Sequence, residues 1–291
     1  MLTGKHIVII GGDARQLEII RKLSTLDAKI SMVGFEQLDD GFVGATKEQL
    51  DNIDFSTVDV ILLPVSGTNQ KGEVETIFSN ETVTITTELL QKTKKNCQIY
   101  TGISNDYLTS CAKEADRKLV KLLERDDIAI YNSIPTVEGT VMMAIQHTDI
   151  TIHSSNIVVL GFGRVGMSVA RTFDALGANV KVGARETKHI ARITEMGFTP
   201  FDTSNIVNEV SDVDIVINTI PAPVISADVI ANMPANALII DLASKPGGTD
   251  FRYAEKRGIK ALLAPGLPGI VAPKTAGQIL AKVLAQLLKD G

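Results

Sequence analysis

The stretch Ile157-Val158-Val159-Leu160-Gly161-Phe162-Gly163-Arg164-Val165-Gly166 decides the fold. An apolar, largely β-branched run ends at Leu160, three glycines follow at G-x-G-x-x-G spacing, and a helical period opens at Val165. Each glycine has a separate task in such a strand-turn-helix unit. Gly161 permits the tight turn, Gly163 lets a pyrophosphate approach the backbone, and Gly166 lets the helix pack against the strand. Phe162, Arg164 and Val165 complete a loop whose phosphates would lie at the helix N-terminus, where free N–H groups and the dipole favour anions. A glycine turn without a ligand is the plainer reading of the same spacing.

Outward from this unit, short β-branched runs alternate with helical stretches from end to end, the pattern of parallel sheets with helices on both faces. After it, strands are expected at Asn179–Gly183, Ile215–Asn218, Leu238–Asp241 and Lys260–Leu263, with helices near Val165–Leu176, Lys188–Met196, Ser226–Ala231 and Phe251–Arg257. Before it, strands are expected at Lys5–Ile10, Lys29–Val33, Val58–Leu63, Gln98–Tyr100 and Ile128–Tyr131, with helices near Ala14–Leu26, Thr86–Lys95 and Asn105–Glu124. Pro135 suits a first helical turn and begins a connecting helix. Near the C-terminus Ile279, Leu280, Val283, Leu284, Leu287 and Leu288 share one helical stripe. The expectation is an α/β chain of two domains: residues 1–133, a connecting helix 134–150, a Rossmann domain 151–272, and a helix 273–291 that packs back across the junction.

An NAD-selective Rossmann unit carries an acidic residue at the end of its second strand, to accept hydrogen bonds from the ribose hydroxyls. Here that end reads Val182-Gly183-Ala184-Arg185. Arg185 can grip a 2′-phosphate with a charged fork, and the nearest acid, Glu186, comes one step later, so NADP is expected. Lys188 and Arg164 add positive charge nearby, or are solvated cations at helix starts. Two further strand ends carry small and polar residues: Asn218-Thr219-Ile220-Pro221, with Thr219 as a hydrogen-bond partner and Ile220 or Pro221 as an apolar wall, and Asp241-Leu242-Ala243-Ser244-Lys245. Asp241 and Ser244 are assigned to the cofactor. In the first half, Gly11-Gly12-Asp13-Ala14-Arg15 lacks the dinucleotide spacing. Arg15 and the turn Ser66-Gly67-Thr68-Asn69 are instead candidates for holding a substrate anion, or a surface arginine and a polar loop.

With 291 residues, 44% of them hydrophobic, the chain can bury a core without disulfides or metal. A net charge of -5 provides no basic face for nucleic acid. Cys97 and Cys111 form no CxxC pair and lack a histidine cluster, so no metal site is expected. The apolar run near the N-terminus is too short for a signal or a membrane span, so a cytoplasmic protein is expected. His6, His147, His153 and His189 all fall outside the strand-end turns, and the catalytic base stays unassigned.

The combination IVIIGGDARQ, LLPVSG, NSIPTVEGTVMMAI, VVLGFGRVG, VGARE, NTIPAP, IDLASKPGGTDF and APGLPGIVAPKTAGQIL closely resembles the A subunits of dipicolinate synthase of endospore-forming bacteria, over essentially the whole chain. The family is in turn similar to the formate and glycerate dehydrogenase group, which implies a flavodoxin-like N-terminal domain beside the Rossmann domain. The resemblance implies NADP-dependent oxidation of dihydrodipicolinate to dipicolinate for sporulation, with a partner in the smaller B subunit, and self-association besides. A rigid dicarboxylate then needs anion donors more than a strong base, and Arg15, the Ser66–Asn69 turn, Ser133, Thr136 and Lys245 are the candidates. Two alternatives stay open: a non-catalytic NADP-binding subunit, or a stand-alone 2-hydroxy- or amino-acid dehydrogenase relative.

Overall fold

The computed structural model describes residues 1–39 and 41–290. It separates into two compact units, Met1–Tyr131 together with the segment from Ala272, and Asn132–Val271.

The first unit is built on β1 (His6–Ile10), α1 (Ala14–Ser24), β2 (Lys29–Val33), β3 (Ala45–Lys47), β4 (Val60–Leu62), a small hairpin of β5 (Glu73–Val74) and β6 (Val83–Thr84), α2 (Thr87–Gln91), β7 (Gln98–Thr101), α3 (Asp106–Glu114) and β8 (Lys118–Lys121). Its parallel sheet runs β3-β2-β1-β4-β7-β8. Leaving out the three-residue edge strand β3, this is the flavodoxin-like order 2-1-3-4-5. Every residue of β1 is buried, as expected of a central parallel strand covered on both faces. Ile7 and Ile9 enter one apolar cluster, Val8 and Ile10 the other.

Helix α4 (Asp126–His147) leads into the second unit: β9 (Asn156–Leu160), α5 (Arg164–Ala175), β10 (Asn179–Ala184), α6 (Thr187–Glu195), β11 (Thr199–Asp202), β12 (Ile215–Asn218), α7 (Ala227–Ala231), β13 (Leu238–Asp241), α8 (Phe251–Arg257), β14 (Lys260–Leu263) and α9 (Leu267–Val271). The parallel order β11-β10-β9-β12-β13-β14 is the Rossmann order 3-2-1-4-5-6. Its switch point lies between β9 and β12. The chain ends in α10 (Pro273–Asp290), which belongs to the first unit and packs along α1. At their closest approach a Cβ on Gly277 would stand 2.6 Å from the Arg15 carbonyl oxygen.

Three expectations need correction. Ile128–Tyr131 is not a strand but the start of α4, whose first turn carries Asp126 and Asp127, favourable beside the positive end of the helix dipole. Pro135 therefore lies inside the helix rather than in its first turn. The expected helix over Asn105–Glu124 stops at Glu114. Asp116 then takes a left-handed φ of 53°, and Lys118–Lys121 becomes the sheet's sixth strand. The Rossmann sheet likewise gains the edge strand β11, where Pro200 costs no central ladder bond.

Candidate functional site

The glycine turn after β9 forms a candidate ligand cradle in the second unit. Gly161 sits at φ 94°, a conformation that disfavours any side chain, and a Cβ there would collide with the Thr219 hydroxyl. A Cβ on Gly166 would press into the Gly161 carbonyl, so this glycine lets the first turn of α5 lie against the strand. Gly163 is different: nothing stands within 4 Å of the place a Cβ would occupy. Gly163 is also the N-cap of α5 and supplies no side-chain hydrogen bond. The turn thus leaves open space beside the positive end of a twelve-residue helix whose N-cap carries no side chain, which fits a dinucleotide pyrophosphate.

Beside this turn lies a pocket of about 200 Å³. Gly161, Phe162, Ala184, Arg185 and Ile220, all singled out from the sequence, meet there. Glu186, His189, Thr203, Ala222 and Val224 line it as well. His189 stands edge-on to Phe162, with ring centroids 6.4 Å apart. It lies in the first turn of α6, beyond the strand end, so its place beside the glycine turn is decided by the packing of α6 and not by the strand-end sequence.

The charges at the end of β10 are sorted by pairing. Lys188 Nζ lies 2.7 Å from Glu186 Oε2, and that hydrogen bond, with the lysine charge, holds the Glu186 carboxyl below the usual range. Glu186 is thereby occupied, and so is Lys188, the expected extra cation for a phosphate. Arg185 is exposed and makes no hydrogen bond or ion pair among the described residues. Asp202 ends the neighbouring strand at the register position of Ala184. Bonds from the Ser204 N–H and hydroxyl, then the Arg185 charge, keep its carboxyl low.

Around the switch point the remaining candidates hold the loops together. The Thr219 amide and hydroxyl both donate to the Leu160 carbonyl, at 2.9 and 2.8 Å. Asp241 requires a correction: it is fully buried, and its carboxylate accepts from Asn218 Nδ2, the amides of Ala243 and Gly248, and the Thr249 hydroxyl. All its acceptor capacity is turned inward, so it shapes the loop rather than touching a cofactor. That loop presents Ser244 and Lys245 to solvent. Pro221 is exposed in the adjoining turn.

The substrate candidates of the first unit are spent on neighbours. Arg15 Nε lies 2.9 Å from both carboxylate oxygens of Asp13, with Nη2 2.5 Å from one of them. Burial would raise the Asp13 carboxyl, but these bonds and the arginine charge outweigh it and hold the group low. As a unit the pair is neutral, not the bare cation expected for a carboxylate clamp. Ser66, Gly67 and Thr68 do line a pocket of about 400 Å³, yet Glu73 and Glu75 line it too. Ser66 donates to Glu75 and Asn69 to Glu73, so the hydroxyl and amide read as anion donors already serve carboxylates. The hairpin that brings these two acids over the turn could not be read from the turn itself. Ser133 is also corrected: it is buried against the Ser168 hydroxyl at 2.8 Å. Thr136 donates back to the Asn132 carbonyl within α4, a local bond that competes with ligand contact.

Comparisons with known proteins agree with this geometry. Residues 6–123 match the family of the N-terminal domain of the dipicolinate synthase A subunit, and residues 131–290 match the alanine dehydrogenase/PNT C-terminal domain family. The chain is 63% identical over 290 residues to the dipicolinate synthase A subunit of Bacillus subtilis (strain 168), covering 100% of this chain and 98% of that protein. Among solved structures it is similar to the dipicolinate synthase A subunit from Bacillus halodurans, with a TM-score of 0.98, 70% identity and 99% of each chain covered. It is also similar to the solved structure of the Bacillus subtilis protein, at a TM-score of 0.97 and 63% identity over 100% of this chain and 97% of that one. An L-alanine dehydrogenase shares the fold at a TM-score of 0.62 and 14% identity, over 97% of this chain and 89% of that one.

Proposed function

The chain belongs to the family of dipicolinate synthase A subunits, and on that basis we propose that it binds NADP and oxidises dihydrodipicolinate to dipicolinate in sporulation, together with a B subunit. The observation that carries this reading is the sorting of charge at the end of β10. Glu186, the acid that could accept from a ribose, is bound to Lys188, while Arg185 stands unpaired beside the glycine turn. Such an arginine suits a 2′-phosphate, and the positive end of α5, with open space at Gly163, suits the pyrophosphate.

Bound beside the glycine turn and Arg185, NADP would supply the hydride acceptor for the substrate ring, with the accompanying proton released to solvent or a base and aromatisation favouring the reaction. The chain's own contribution is then positioning. Thr219 fixes the β12 turn to Leu160, and Asp241 fixes the loop bearing Ser244 and Lys245. Lys245, exposed on that loop, is the cation proposed to pair with a substrate carboxylate. A cytoplasmic location belongs to the same proposal. Among the described residues no helix is long and apolar enough to cross a membrane.

A second reading, a cofactor-binding subunit whose partner supplies the chemistry, is favoured by one observation: Arg15, Ser66 and Asn69 are engaged by Asp13, Glu75 and Glu73. One assay separates the two. The purified chain, alone and with its B subunit, is mixed with freshly generated dihydrodipicolinate and either NADP or NAD, and formation of reduced nicotinamide is followed. The proposed activity reduces NADP in preference to NAD. No reduction in the complete mixture overturns it, and equal use of both cofactors overturns the NADP assignment.

A further inference from the structure

Two of the histidines have ring nitrogens committed to hydroxyls: His6 to Thr57 and Ser31 at 2.8 and 2.9 Å, and His153 to Ser154 at 2.9 Å. His189 is different. It is half-buried, it lines the pocket beside the glycine turn together with Arg185, and its ring nitrogens make no hydrogen bond or ion pair among the described residues. The ring is braced instead by Phe162 of the glycine turn, itself only 4% exposed, with the two ring planes at 65° and the centroids 6.4 Å apart. An edge contact of this kind holds an imidazole by its carbon skeleton and leaves its polar nitrogens uncommitted.

The charges around this ring show what it is for. Lys188 is the main cause that holds the Glu186 carboxyl low, but the His189 and Arg185 charges act on the same carboxylate, so imidazole and guanidinium reach one corner of the pocket. Asp202, at the end of β11, is held low by Ser204 and then by Arg185. Two cations, Arg185 and Lys188, therefore stand against two carboxylates, Glu186 and Asp202, and the next cation along α6, Arg192, is paired with Glu195 at 2.8 Å. A phosphate monoester brings roughly two negative charges near neutral pH. On this balanced ground a single arginine is a thin reception, and a further donor is needed. Ile220, Ala222 and Val224 of the same pocket offer the adenine base an apolar surface, which leaves the ribose phosphate to the polar residues. We infer that His189, braced by Phe162, is a second ligand of the cofactor's 2′-phosphate and shares with Arg185 the selection of NADP over NAD, a role that rests on the proposed use of NADP. The imidazole donates an N–H to a phosphate oxygen, and in its doubly protonated form it adds the positive charge that the corner lacks.

Dissociation constants for NADPH and NADH are measured by calorimetric titration of the full chain, of His189→Phe and of His189→Gln, with circular dichroism confirming that each is folded. The wild type is expected to prefer NADPH. His189→Phe keeps a ring against Phe162 but has no donor; it should weaken NADPH binding by about tenfold or more and change NADH binding by less than about twofold, the effect of losing a hydrogen bond to a charged group. His189→Gln, which retains an N–H donor, should lose less. Magnetic resonance of isotope-labelled histidine follows the ring itself, with four side chains to observe. The signal missing from His189→Gln should shift with adenosine 2′,5′-bisphosphate and far less with adenosine 5′-monophosphate, which differs only in lacking the 2′-phosphate. A wild type that binds both cofactors equally overturns the NADP assignment and this role with it. An NADPH preference that survives in His189→Phe, equal losses for both cofactors, or a His189 signal that answers both nucleotides alike overturns the role of His189 alone.

Discussion

Arg185 and Glu186 are adjacent, and their difference in partners is what gives the end of β10 its expected preference. Arg185→Ala should weaken NADPH binding by about 1.5–3 kcal/mol, the range for a hydrogen bond to a charged group, and leave NADH binding almost unchanged. Calorimetric titration of both cofactors reads this directly, and equal losses would show that Arg185 does not discriminate. His6 carries a second consequence of the same kind. It is buried at the start of β1, between the Thr57 and Ser31 hydroxyls at 2.8 and 2.9 Å, with Ser31 donating in turn to Glu48. Burial, and then Lys29, lower its pKa below the ordinary value of 6.5, against weaker opposition from Glu48 and Asp59. The fold therefore prefers the neutral ring. The stability this contributes is present above the unfolded-state pKa and is lost as pH falls below it and down through the folded value. Thermal unfolding compared across about pH 7.5 to 5.5 should show the wild type losing more stability than His6→Gln. Parallel curves for the two proteins would count against the account.

Among the elements, the β9–α5 unit separates two jobs that one glycine motif conceals. Gly163 has ordinary extended dihedrals, φ −87° and ψ −160°, and open space around its missing Cβ, so Gly163→Val should fold normally. Its side chain would then fill the approach to the α5 amides and abolish binding of the reduced cofactor, seen as loss of the titration signal at unchanged melting temperature. Gly166→Ala should do the reverse. Its Cβ would stand 2.9 Å from the Gly161 carbonyl carbon and closer still to the oxygen, a backbone clash that cannot be relieved by a rotamer. A loss of about 1–3 kcal/mol in denaturant unfolding is expected. The same distinction explains Asp241: an acid at a strand end looks like a ligand group, yet here it ties the loop from Ala243 to Thr249 to β13 and β12.

Over the length of the molecule, the chain returns to its beginning. Leu280, Leu284 and Leu288 of α10 are buried in the same cluster as Ile19, Ile20 and Leu23 of α1, and Lys5 Nζ donates to the Leu288 carbonyl at 2.8 Å. Burial of each leucine is worth about 1.5–3 kcal/mol, so losing three removes an amount comparable to the roughly 5–15 kcal/mol that holds an ordinary domain together. A chain ending at Val271 should therefore keep a folded second unit while the first becomes protease-sensitive. Limited proteolysis that cuts within Met1–Tyr131 and spares Asn132–Val271 is the expected pattern. Equal resistance of both units would show that α10 is dispensable.

Residue order was enough to reveal the two parallel sheets, because buried parallel strands such as Ile157–Leu160 and Leu238–Asp241 write their burial as unbroken apolar runs, and Gly161, Gly163 and Gly166 mark a turn that backbone geometry demands. It was also enough to find the strand ends that carry polar and glycine-rich turns. Short, half-exposed elements escaped it. Lys118–Lys121 and Thr199–Asp202 are edge strands whose few residues show no decisive period, and Ile128–Tyr131 has strand-like composition but obeys the acidic N-terminus of α4. Which charges remain available became visible only in the folded chain. Asp13 claims Arg15, Glu75 claims Ser66, Lys188 claims Glu186, and Arg185 is left unclaimed among the described residues. Some of these pairs are near neighbours in sequence and others are joined by the hairpin, but in every case electrostatic availability depends on distances of a few ångströms that residue order does not encode.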